Sequence, residues 1–221
     1  MNKPNVLLVH GMGRTPHSMW RLAGDFEKEG FQSSRFGYIA AFQPFDSIVD
    51  RLAARLESLS SVPCAVIGHS LGGVMLRVAI SKLESARRPR CFVMLGTPNH
   101  SPRLAQWLRE SSFFRCLYGD SGQLLGTPEK MEALPPIHVP TLLIAGTRGP
   151  VGKVSLFGEE RNDGIVSLEE AMIDGAQMLE LPVLHSFMMN DRRVRREALS
   201  FCCGWIRADA SSVDAEITAS D

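Results

Sequence analysis

Short, unbroken apolar runs alternate with helically spaced segments along most of this chain. Residues 6–10 (VLLVH), 64–68 (CAVIG), 91–95 (CFVML) and 141–145 (TLLIA) are runs of the first kind. Such runs suit strands buried on both faces, where side chains on either side of the sheet must be apolar. Residues 34–39 read as a weaker strand and residues 177–182 as the last strand. Other segments carry apolar residues at helical spacing. Residues 20–29 place Trp20, Ala23 and Phe26 on one face, and Phe45–Leu59 does so with Ile48, Leu52, Leu56 and Leu59. Residues 71–83 carry a stripe of Leu71, Val74, Met75, Val78 and Ala79. Residues 194–206 form a closing helix.

Strand and helix in alternation predict an α/β protein with a mostly parallel sheet and helices on both faces. Two stretches interrupt the rhythm. Residues 102–140 contain no clear strand but hold Leu104, Trp107, Leu108, Phe113, Phe114, Leu117 and Tyr118. Residues 146–163 form a long glycine-containing loop, and loops of that length are usually functional or disordered. At 221 residues the chain suits one domain, expected over 1–207, with a polar, acidic and disordered tail over 208–221.

Composition adds exclusions. Lys plus Arg number 24 and Asp plus Glu number 24, so net charge gives no case for a nucleic-acid partner. The arginines at 87, 88, 90, 192, 193, 195 and 196 read as solvated faces. No apolar run is long enough to span a bilayer, and no secretory signal precedes residue 6. The five cysteines show neither a disulfide framework nor zinc spacing. Cys202 and Cys203 read as packing within the last helix. A reducing, cytoplasmic location is expected. No phosphate loop, dinucleotide fingerprint or metal cluster appears, so no cofactor or metal is expected.

The chemistry concentrates in residues 64–73, CAVIGHSLGG. Gly68, His69, Ser70, Leu71 and Gly72 form a G-x-S-x-G between an apolar strand and an amphipathic helix. A nucleophilic hydroxyl needs to be lifted out of a sharp strand-to-helix turn, and the flanking glycines remove side chains that would clash there. Helix capping alone would also explain a serine at this point, but strand, turn and helix agree on the nucleophile. His69 reads as structural.

HSLGG after an apolar strand resembles the lipases and lipase-like esterases of the α/β-hydrolase superfamily. His10-Gly11-Met12-Gly13 after the first strand resembles that family's oxyanion loop, and Gly96-Thr97-Pro98 stands where lipase-like members often carry the same tripeptide. The resemblance covers residues 6–206 and points to a small member with a trimmed N-terminus and at most a short lid. It implies two backbone donors for an oxyanion, the N–H groups of Met12 and Leu71. It also implies the order Ser, acid, His along the chain.

His185 follows the last strand, where the family places its base. His138 precedes a strand, at the opposite end of the sheet, and His100 borders the pocket at most. For the acid, Asn162-Asp163-Gly164-Ile165-Val166 resembles the family's Asp-Gly-x-Val, with Asp174 and Asp120 as fallbacks. The resemblance therefore implies Ser70, Asp163 and His185 as a catalytic triad acting on a small-molecule or lipid ester. The site is expected to be shallow and to take short or medium acyl chains. A thioesterase, an acyltransferase and a non-catalytic binding scaffold are the competing readings, because a fold does not fix a function.

Overall fold

The computed structural model describes residues 3–153 and 155–218, with side chains described up to Ala208. Six strands form one sheet: β1 (Asn5–Val9), β2 (Gln32–Phe36), β3 (Cys64–His69), β4 (Cys91–Leu95), β5 (Thr141–Gly146) and β6 (Ala176–Leu181). Their order is β2-β1-β3-β4-β5-β6. Every neighbouring pair is parallel. The helices are α1 (Trp20–Lys28), α2 (Phe45–Leu59), α3 (Leu71–Ser81), α4 (Arg103–Leu108), α5 (Ser112–Leu125), α6 (Pro128–Glu132), α7 (Leu168–Ala171) and α8 (Arg192–Thr218).

Alternation along the strands builds two cores. Leu7, Val9, Val66, Phe92 and Met94 lie on the side of α2 and α3, in a core shared with Leu143 and Ala145 of β5. Val6, Leu8, Ala65, Ile67, Val93, Leu95 and Ile144 face α1 and α8. Both faces are buried, which is why these strands read as unbroken apolar runs.

Three segments depart from the sequence reading. β2 is Gln32–Phe36 rather than 34–39. It is an edge strand whose polar residues are held by register against β1, with Asn5 opposite Gln32 and Val9 opposite Phe36. The stretch at 102–140 folds into α4, α5 and α6, and Gly119 breaks α5 with φ 49°. α8 begins at Arg192 and continues to Thr218, so its last turns fall within the expected tail, and residues 219–221 lie outside the described residues.

The strand order reverses between β1 and β3, which run side by side. Ligands of open parallel sheets bind at the carboxyl ends of strands where the order reverses. Those ends carry His10-Gly11-Met12-Gly13 after β1 and Ser70 after β3.

Candidate active site

Ser70 has φ 52° and ψ −124°, and among the described residues it is the one non-glycine residue with positive φ. Such a conformation persists only where its surroundings enforce it. The enforcement is visible in the glycines. A Cβ on Gly68 would lie 2.5 Å from the Gly73 backbone, and one on Gly72 would lie 2.4 Å from the His10 carbonyl oxygen. One on Gly73 would lie 1.9 Å from Thr97 Oγ1. The strand-to-helix turn at Ser70 thus packs directly on the ends of β1 and β4. The Ser70 N–H donates to Leu95 O at 2.9 Å, which ties the turn to the end of β4.

Asp163 and His185 meet 22 residues apart in sequence, with 2.7 Å between Asp163 Oδ2 and His185 Nδ1. Asp163 is 2 % exposed and His185 7 %. Asp163 Oδ1 accepts from the N–H of Ile165 (2.9 Å) and of Val166 (2.8 Å). The His185 N–H donates to Asp163 O at 2.9 Å. These bonds fix the carboxylate and present it to Nδ1. A proton on Nδ1 leaves Nε2 as the acceptor nitrogen.

The long loop before Asp163 is stitched back onto itself. Asn162 Nδ2 donates to the carbonyls of Pro150 and Glu160, both at 2.9 Å, while Asn162 Oδ1 accepts from the Gly164 N–H at 2.8 Å. A Cβ on Gly149 would lie 1.8 Å from Asn162 Oδ1, so this glycine permits the loop to close. Arg103 at the start of α4 pairs with Glu160 and, at 3.1 Å, with Glu170. These contacts return Asp163 to the carboxyl end of β5 despite its distance along the chain.

Leu95 and Gly96 connect the serine to the Asp–His pair. A Cβ on Gly96 would lie 3.0 Å from Asp163 Oδ2 and 3.1 Å from His185 Nδ1. His69, next to Ser70, has its ring centroid 4.8 Å from that of His185. Its Nε2 donates to the His185 backbone oxygen at 3.0 Å. Among the described residues no hydrogen bond joins Ser70 Oγ to His185. Catalytic hydrogen bonds of unliganded enzymes are often long and tighten with substrate.

The Met12 and Leu71 N–H groups donate to no protein acceptor among the described residues. They flank the turn at the ends of β1 and β3. Tyr38, a residue with no local sequence signal, fixes this loop from the segment just after β2. Its ring stacks on His10 at 4.3 Å and its hydroxyl donates to His10 O at 2.9 Å. Tyr118 of α5 lies across from it: a Cβ on Gly13 would be 3.7 Å from the Tyr118 ring. Burial holds the His10 imidazole below its usual pKa and the His69 imidazole well below.

The remaining candidates fall elsewhere. His138 is exposed at the entry to β5, beside Pro89 and Trp205. His100 is exposed on the rim of a groove that also holds Asp174. Asp120 accepts from the Phe45 N–H at 3.1 Å and so caps α2. Among the described residues no group of His, Cys, Asp and Glu is arranged to hold a metal ion.

No family model matches the chain, and no curated protein matches it by sequence. Solved structures do. The mature lipase BlEst2 of Bacillus licheniformis superposes with TM-score 0.72 at 18% identity, covering 90% of this chain and 92% of that one. A monoglyceride lipase of Saccharomyces cerevisiae gives 0.64 at 14% identity, covering 93% and 87%. The RedJ thioesterase of the prodiginine pathway in Streptomyces coelicolor gives 0.59 at 15% identity, covering 92% and 88%. Strand order, parallel register and these superpositions agree that the chain has the α/β-hydrolase fold.

Proposed function

We propose that this protein is a carboxylic ester hydrolase working through an acyl-enzyme on Ser70. The observation that carries the reading is the buried Asp163–His185 pair, ordered by three backbone hydrogen bonds beside a positive-φ serine. His185 Nε2 takes the proton of Ser70 Oγ as the oxygen attacks the ester carbonyl. Asp163 holds the imidazole in the tautomer this requires and stabilises the imidazolium. Negative charge on the former carbonyl oxygen is met by the Met12 and Leu71 N–H groups, which need no reorganisation to receive it. His185 then gives the proton to the departing alkoxide, which leaves as an alcohol. Water attacks the acyl-enzyme by the same route in reverse, and a carboxylic acid departs.

The partner is a small-molecule or lipid ester. Met12 and Tyr118 offer apolar surface beside the oxyanion loop, which suits a short or medium acyl chain. The hydrolase domain is assigned to 1–207, with 208–221 a tail outside it. Among the described residues no helix is long and apolar enough to cross a membrane. The five cysteines are free, which supports a cytoplasmic site of action.

The test is a p-nitrophenyl ester series of increasing acyl length, read by stopped flow and intact mass. The reading expects a burst of nitrophenol and a transient mass increase equal to one acyl group, absent in Ser70→Ala. Turnover that survives Ser70→Ala would remove the serine from the mechanism. Acyl transfer to an added alcohol in the same assay separates acyltransferase chemistry from hydrolysis, and release of thiol from an acyl thioester of matched chain length reports thioesterase chemistry.

A further inference from the structure

Arg77 projects from the middle of α3, seven residues after Ser70, and is 9 % exposed. Its Nε donates to Pro135 O at 2.6 Å, and its terminal nitrogens donate to Asn99 Oδ1 and Leu134 O, both at 3.2 Å. All three acceptors are neutral. Among the described residues Arg77 forms no ion pair, and burial pulls its guanidinium below the usual value. A guanidinium has five N–H donors, so two remain. A buried charge without a counter-charge is costly, and three neutral oxygens solvate it without neutralising it.

This guanidinium lines a groove of about 540 Å³, within the ~300–1,000 Å³ range of small-ligand sites. α7 is one turn long and packs on β5, and beyond it the edge strand β6 keeps Ala176 and Met178 only half-buried. Ala176 and Met178 of β6 line the groove half-buried, and the buried Leu143 and Met131 complete its apolar lining. Two carboxylates, Glu132 and Asp174, stand on the rim, and both are exposed to water. Neither Ser70 nor His185 lines the groove.

We propose that this groove is a second binding site, distinct from the Ser70 site, for a monoanionic amphiphile: a carboxylate on an alkyl chain. The carboxylate meets the unpaired charge and the two remaining donors of Arg77. The chain lies along Ala176 and Met178 of the edge strand. The rim carboxylates disfavour polyanions, and one cation with two donors suits a single negative charge.

Decanoate is the probe, titrated into Ser70→Ala protein so that the catalytic site contributes no turnover. Methionine methyl signals of Met131, Met172 and Met178 report the groove. Saturable shifts of those three signals are expected, with decanol binding roughly tenfold or more weakly, since bonds to a charged group carry the preference. Arg77→Met should remove the preference for decanoate. Ala176→Trp, which fills the groove from the edge strand without touching α3, should abolish the shifts in protein of unchanged fold. Equal affinity for decanol and decanoate would overturn the proposal. So would decanoate affinity unchanged in Ala176→Trp, or no shift of the three signals at millimolar decanoate.

Discussion

Ser70 sits in a backbone conformation that the packing of Gly68, Gly72 and Gly73 imposes, and its replacement tests function with little disturbance of fold. Ser70→Ala should keep the far-UV spectrum and melting behaviour and leave only about 10³–10⁴-fold acceleration over water, supplied by the oxyanion donors and binding. His185→Ala should fall to a similar rate, and the double variant should lose no more than either single one, because the two act as a unit. Single-turnover ester hydrolysis checks both; additive losses would show that they work separately. Asp163→Asn should lower kcat by roughly 10³–10⁴-fold with KM little changed, since the amide does not hold the same imidazole tautomer. His69 bears on stability. Its native pKa is depressed by burial and by His185, so the unfolded chain binds a proton that the native state refuses. Stability is therefore full above the ordinary histidine value and is lost as pH falls below about 6.5, by up to ~1.4 kcal/mol per pH unit per histidine. His10 adds in the same direction. Urea midpoints between pH 8 and pH 5 should fall less steeply in His69→Gln than in the parent chain.

At the scale of elements, the legible parts were those whose burial is two-sided or whose stripe is continuous. Phe45–Leu59 and Cys91–Leu95 match their sequence reading to the residue, because a helical stripe marks the first and an unbroken apolar run the second. β2 was legible only in outline: QSSRF has no apolar period, and its position is set by pairing with β1. The helices α4 to α6 were not legible, because their apolar residues divide between exposed Trp107 and Phe113 and buried Phe114 and Leu125. No single face repeats. The glycines of the turn at Ser70 were legible as a motif, while the contacts that make them necessary were not. Gly72→Ala pushes a methyl against the His10 and Val9 carbonyls and should cost about 1–3 kcal/mol, the range for overpacking. Chemical denaturation measures this, and a neutral effect would mean that α3 can slide away from β1.

Across the whole molecule, the candidate site gathers from the carboxyl ends of β1, β3 and β5 and from the segment after β6. Chain order and local motif marked Ser70, His185 and Asp163, and parallel topology carries all three to the carboxyl end of the sheet. Long-range fixtures left no trace in the sequence: Tyr38 on His10, His69 on the His185 carbonyl, and Arg103 on the loop that returns Asp163. Each is a single polar residue whose partner lies at least 28 positions away, and no period or spacing encodes it. On this reading Ser70 is an activated nucleophile. The most direct test is reaction of the purified protein with a fluorophosphonate, followed by peptide mass spectrometry. One adduct is expected, on Ser70, formed slowly or not at all in His185→Ala and absent in Ser70→Ala. Folded protein that takes up no label at Ser70, or that labels equally fast without His185, would contradict it.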